Sequence, residues 1–201
     1  MAISLQKGQK VSLKKKSSAG LGEILVNLNW NSVPQNQGLL KSLFGGGQGI
    51  DLDLGCLFEL KDGSKGAVQA LGNSFGSLAR PPYVSLDGDD RTGAAAAGEN
   101  LRINGNQIAN IKRILVYTFI YEGVANWQQA DAVVTIKYPG AEDLVVKMDD
   151  YNSREKMCAL ALLENMNDET FSVEKIVQFF GGHSMMDRAF GWGLNWKPGR
   201  K

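Results

Sequence analysis

The chain has one histidine, His183, and two cysteines, Cys56 and Cys158, among its 201 residues. That scarcity removes whole classes of chemistry. A Ser-His-Asp or Cys-His nucleophile would have to be built on His183, and no G-x-S-x-G elbow accompanies it. One histidine and two distant cysteines inside apolar runs do not make a zinc ligand set. The cysteines read as reduced, buried thiols, not bonded to each other. No P-loop is present, and Gly45-Gly46-Gly47 lacks the G-x-G-x-x-G pattern of a dinucleotide fold. Charge is also scarce in net terms: 22 basic and 21 acidic groups leave +1. So balanced a chain offers no field for nucleic acid or an acidic membrane surface. No apolar run is long enough to span a bilayer, and the opening MAISLQKGQKVSL has neither an apolar h-region nor a cleavage site. A cytoplasmic protein without membrane insertion or nucleic-acid partner is the expectation.

What the chain has in quantity is hydrophobic residues, 43%, and 24 glycines, arranged as short apolar runs between turns. Ile24 to Trp30 alternates cleanly, with Ile24, Val26, Leu28 and Trp30 on one face. From Ile50 to Leu60 the alternation returns: Leu52, Leu54, Cys56, Phe58 and Leu60 face one way, and Asp51, Asp53, Gly55 and Glu59 the other. Leu57 breaks the pattern. Asp62-Gly63 is a hairpin turn leading to a return strand from Lys65 to Leu71. Ile114 to Tyr121 is apolar on both faces, as a central, doubly covered strand must be. Leu101 and Ile103, Ala132 to Tyr138, and Leu144 to Met148 supply further strands. Met157 to Leu163 and Val173 to Phe180 read equally as helix or strand. Asn31 to Gly49 and the segment from Gly72 to Pro82 read as loops. Lys14, Lys15 and Lys16 read as a solvated strand edge. The pattern predicts an all-β antiparallel sandwich with long loops and one or two short helices, with Leu28, Trp30, Leu52, Leu54, Phe58, Val116 and Val134 in or near its core. The aromatic tail, Gly181 to Lys201, is read as a segment that closes the sandwich with its tryptophans, in preference to an exposed contact surface.

One stretch carries most of the chemistry. Ser85 to Asn100 places Asp87, Asp89, Asp90 and Glu99 among glycines, and the strand acids Asp51 and Asp53 share a face two positions apart. Carboxylates with curling, carbonyl-presenting backbone suit a hard cation such as calcium, which takes about six to eight oxygen ligands. Gly-Asp-Asp is also an ordinary turn, and paired acids can do acid–base work. Adjacent carboxylates on a glycine loop suit coordination better.

The opening MAISLQKGQKVSL…ILVNLNW, the strand IDLDLGCLFEL and the turn GDDRTG together resemble the TerD family of tellurium-resistance and stress-response proteins. The run through GDDRTG, with IYEGV and DRAFGWGLNW, is most similar to the TerA branch of that family. The resemblance covers most of the chain and implies one TerD-like domain over residues 1–201, a calcium-binding β-sandwich without enzymatic activity that works with other proteins of a stress-response complex. Residue by residue, it implies metal ligands at Asp51, Asp53 and Asp89. Asp90 stands at the family's asparagine, Glu99 at the second acid of its D-D-E, and Glu122 of IYEGV at a family aspartate. The sequence departs from the pattern at Ala94 to Ala97, at Gly98 and at Asn100. Where the family pattern holds two calcium ions, one ion or none is expected here. The alternative is a metal-free protein-interaction module of the same fold with a degenerate site.

Overall fold

The computed structural model describes residues 2–13, 20–31, 50–88, 98–123, 126–148, 151 and 154–197. The readings made for Lys14 to Lys16, for most of the loop before Gly49, and for Asp89, Asp90 and Ala94 to Ala97 lie outside those residues.

Strand alternation builds two packed sheets. In one, β1 (Ala2–Ser4), β11 (Asp143–Lys147), β10 (Val133–Lys137), β3 (Glu23–Asn29), β8 (Glu99–Asn104), β7 (Val84–Leu86) and β6 (Gly76–Ser77) lie side by side in that order. In the other the order is β2 (Lys10–Ser12), β13 (Thr170–Phe180), β12 (Met157–Met166), β9 (Ile111–Glu122), β4 (Asp51–Leu60) and β5 (Lys65–Gln69). The described pairings are antiparallel, except that β1 runs parallel to β11. Among the described residues two short α-helices accompany them, α1 (Trp127–Ala130) and α2 (His183–Phe190). The all-β sandwich is therefore the fold.

Inward-facing residues of both sheets meet in one core. Leu28, Leu52, Leu54, Val116 and Val134 are fully buried, while Trp30 and Phe58 pack against its margin. β9 sits between β12 and β4, the central place its two-faced hydrophobicity requires. Cys56 and Cys158 are buried and not bonded to each other, and burial pushes the Cys56 thiol up to about 12.

Two features of the strands have physical causes. The stretch from Ala2 to Ser12 supplies β1 to one sheet and β2 to the other. Gly8, at φ +76°, makes the turn between them, a conformation glycine adopts without Cβ strain. The run from Met157, legible as helix or strand, is β12. Its register shifts between Ala159 and Ala161, and both its faces are covered there, so no two-residue period survives.

The largest addition is on the outer face of the six-stranded sheet. Leu57, Leu115, Tyr117, Phe119 and Met157 form a second apolar cluster there, roofed by Met186 of α2 and by Trp192. The tail thus closes the outside of one sheet instead of the interior between the two. This is why Leu57 is apolar on a face otherwise carrying Asp51, Asp53 and Glu59. That face is not solvent, since nine of the ten residues of β4 are buried.

Candidate functional site

β4 and β8 bring the carboxylates forward from facing sheets. Asp51 and Asp53 lie near the start of β4, Asp51 opposite Glu122 and Asp53 opposite Phe119 on β9. The register shifts between Asp51 and Leu52, so one extra residue on β9 is accommodated where the two acids sit. Asp53 is fully buried and Asp51 is 8% exposed. Glu99 opens β8 opposite Leu28, faces inward and is 3% exposed. Its Oε2 accepts a hydrogen bond of 2.6 Å from the backbone N–H of Leu54. β5 reaches β4 only as far as Gly55, so Leu54 lies just beyond the last β5 pairing. The Glu99 carboxylate therefore links the two sheets through main chain, and a charged acceptor makes that a strong bond. Glu122, by contrast, is exposed.

The acidic loop starts and ends on adjacent strands. The Asp87 N–H donates to the Asn100 carbonyl at 3.0 Å, closing the loop at its base. Asp87 is also engaged by Arg102, whose Nε lies 2.6 Å from Oδ1 and whose other arm reaches Glu23. These two acids raise the Arg102 guanidinium above its ordinary range. Asp87 thus belongs to a surface ion pair. Gly98, at φ +62°, passes so close to the Leu28 carbonyl that a Cβ would stand 2.1 Å from it. Only glycine fits the return of the loop into β8.

Among these positions the structure describes Asp51, Asp53, Glu99 and Glu122, while Asp89 and Asp90 lie outside the described residues. In donor type the buried acids fit a hard cation, because all their donors are oxygen. In number they do not complete a site: among the described residues no group of three or more His, Cys, Asp or Glu is arranged to hold a metal ion.

A second constellation was not legible in the sequence. Tyr117 lies over Gly55, where a Cβ would stand 2.8 Å from its ring. Its hydroxyl donates to Gln69 Oε1 at 2.6 Å. The same oxygen is 3.0 Å from His183 Nε2. Since that oxygen accepts from both, Nε2 carries the imidazole proton. His183 packs edge-on against Tyr117 and Phe119, with ring centroids 5.5 and 5.2 Å away, and lies 4.7 Å from Trp196. Burial, then the neighbouring Cys56 and Asp53, pushes the Tyr117 phenol well above its usual range. The available signals were Gly55 inside an otherwise bulky strand and the out-of-phase Leu57.

Burial lowers the His183 pKa to about 4 from 6.5. The groups packed on its ring, Tyr117, Phe119, Gln69 and Trp196, are uncharged and offer no compensation for a proton. Between these two values the unfolded chain binds the proton and the folded chain does not. Stability from this residue is full above about pH 6.5 and falls as pH drops toward 4. The shift corresponds to about 3 kcal/mol. Chemical denaturation of wild type and His183→Phe across that range should show a pH-dependent gap of that size. Parallel curves would refute it.

The TerD domain profile matches residues 1–173, and the chain belongs to the TerD domain family. It is 46% identical over 200 residues to the tellurium resistance protein TerA of an Alcaligenes species, covering 99% of this chain. The chain spans 58% of that relative's length. It is 30% identical over 174 residues to the stress response protein SCP2 of Bacillus subtilis (strain 168), covering 85% of this chain and 82% of that one. In fold it is similar to a Streptomyces coelicolor A3(2) homologue of the telluride resistance protein TerD. That match has a TM-score of 0.55 at 17% identity, over 84% of this chain and 95% of the other. Tellurium resistance and stress response are thus the family's setting. Among the described residues no helix is long and apolar enough to cross a membrane.

Proposed function

We propose that the chain is a non-enzymatic, calcium-binding module that acts in tellurite and stress resistance through protein partners. The observation that carries this reading is the burial of Asp51, Asp53 and Glu99 on facing sheets, beside the strand that the acidic loop enters. Ionised carboxylates are costly to bury, and a divalent cation offsets both that cost and their mutual repulsion. Asp51, Asp53 and Glu99 are the proposed ligands from the two sheets, and Asp89 and Asp90, by their place in the sequence, the proposed ligands from the acidic loop. Glu122, exposed on β9 opposite Asp51, is the peripheral member. The alanines at 94–97 remove side-chain oxygens, so one ion is proposed and not two. Neither cysteine is placed for reducing an oxyanion, since both are buried and the Cys56 thiol is held protonated.

Calcium held by the folded state alone stabilises it by ~2.7 kcal/mol at a hundredfold excess over Kd. Thermal melts of chelator-treated protein should therefore rise with millimolar calcium. Asp53→Asn, which keeps the shape of the buried side chain, should abolish the rise. Asparagine is the better probe than alanine because Asp53, although it faces away from Leu52 and Leu54, is enclosed and not open to water. Wild type and Asp53→Asn melting alike with and without calcium would instead favour the metal-free interaction module.

A further inference from the structure

We propose that the segment from His183 to Trp196 is an acid-released strap, seated on the outer face of the six-stranded sheet while His183 is neutral and freed from it when the imidazole takes a proton. Gly181 and Gly182 join the strap to β13. Beyond that joint it carries its own shape. Asp187 Oδ1 accepts from the Gly193 N–H at 2.8 Å, and Oδ2 accepts from the Leu194 N–H at 3.0 Å and from Trp196 Nε1 at 3.1 Å. The strap meets the sheet at two ends. At one, Trp192 Nε1 donates to the Phe58 carbonyl at 3.0 Å, and Arg113 and Lys65 reach the carbonyls of Phe190, Gly191 and Trp192. At the other stands His183, the first residue of α2. Beneath lie Leu57, Leu115, Tyr117, Phe119 and Met157, the apolar face that release uncovers.

The His183 end has no place for a charge. β9 offers it the rings of Tyr117 and Phe119, β5 the Gln69 amide oxygen, and the strap itself Trp196. Tyr117 is the titratable group among them, and its phenol, raised well above its usual range, stays protonated in acid. Asp53 of β4 acts on that phenol, whereas burial is what acts on the imidazole. Asp187, one turn along α2, is engaged by its three N–H donors. Glu155 stands at the joint, beside Gly181. Lys65, Lys112 and Arg113 gather around Glu59 at the Trp192 end. An imidazolium at 183 would thus face aromatic carbon and one shared carbonyl oxygen, at the positive end of its own helix. In water the same cation is fully hydrated, so protonation favours the released strap. A seated His183 takes its proton at about pH 4 and a released one near pH 6.5. Release draws a proton in between, and seating weakens about thirtyfold from pH 8 to pH 5.

The experiment follows hydrogen exchange of two indole N–H groups by NMR in full-length, chelator-treated protein at pH 8 and pH 5, as protection relative to free indole at each pH. Trp192 Nε1 bonds the strap to the sheet. Trp127 Nε1, donated to the Glu155 carbonyl at 2.8 Å, belongs to the core and reports global unfolding. Protection of Trp192 should fall about thirtyfold between the two pH values while that of Trp127 holds. In His183→Phe, which keeps an uncharged ring in place, the fall should vanish. Unchanged protection of Trp192 overturns the inference, and so do equal falls at both indoles. A fall in His183→Phe as large as in wild type also overturns it and gives the switch to the carboxylates. Should His183→Phe not seat its strap, His183→Gln takes its place; should neither fold, the two indoles of wild type decide alone.

Discussion

Asp187→Ala is expected to destabilise the protein by about 3 kcal/mol and to expose Trp192 and Trp196 to quencher. Asp187 is 3% exposed and accepts three N–H groups, two from backbone and one from indole. Hydrogen bonds to a charged acceptor contribute ~1.5–3 kcal/mol each. Their sum is not the expected loss, because the tail can detach and give its donors to water. The cost is capped by the free energy of detaching the tail, most of it the re-exposure of Trp192, now 1% exposed. Asp187→Asn keeps one carbonyl acceptor and should lose less than half as much. Urea unfolding of the three proteins distinguishes this graded loss from a uniform packing defect, in which Asn and Ala would be equal.

Glu59→Ala should be as damaging, for a different reason. Glu59 is buried, and it takes Arg113 Nε at 2.6 Å and Lys112 Nζ at 2.7 Å, with Lys65 Nζ 3.8 Å away. Burial alone would raise its pKa, but the hydrogen bonds from Lys112 and Arg113 hold it below the usual carboxylate value. Arg113 in turn donates to the carbonyls of Phe190 and Gly191, and its guanidinium stacks 3.8 Å from the Trp192 ring. Lys65 reaches the Trp192 carbonyl at 3.0 Å. Removing the acid leaves Arg113, 20% exposed, without its partner, while Lys65 and Lys112 can turn to water, so the expected loss is about 3 kcal/mol, the lower end for breaking a buried pair. Glu59→Ala should also raise tail exposure, since Arg113 loses the partner that aims it. A loss below about 1 kcal/mol by urea unfolding would show the cluster to be an ordinary surface pairing.

The two effects converge on the element the sequence described least well. Two-residue alternation made β3, β4 and β8 readable, the Asp62-Gly63 turn made β5 readable, and two-sided hydrophobicity made β9 readable as central. Those signals are local. The roof over β4 is not local, because it joins Leu57 to Trp192 across the chain. A tryptophan-rich tail reads equally as core or as contact surface until its partner is known. Leu57 and Gly55 carried the information, since one is apolar out of phase and the other is small where Tyr117 needs room. The carboxylates were legible for a related reason. Acids at i and i+2 on a strand must share a face, whatever covers it. That the face is covered, and that Glu99 crosses from the opposite sheet to the Leu54 N–H, could come only from the tertiary arrangement.

Cation binding by the buried acids Asp51, Asp53 and Glu99 is the proposal on which the functional reading stands. The most direct test is calorimetric titration of chelator-treated protein with calcium and, separately, with magnesium. One saturable calcium site per chain is expected, with weak competition by magnesium, whose tight octahedron a glycine- and alanine-rich sequence is not built to impose. Absence of calcium heat up to millimolar concentration, with no change in melting temperature, would contradict it.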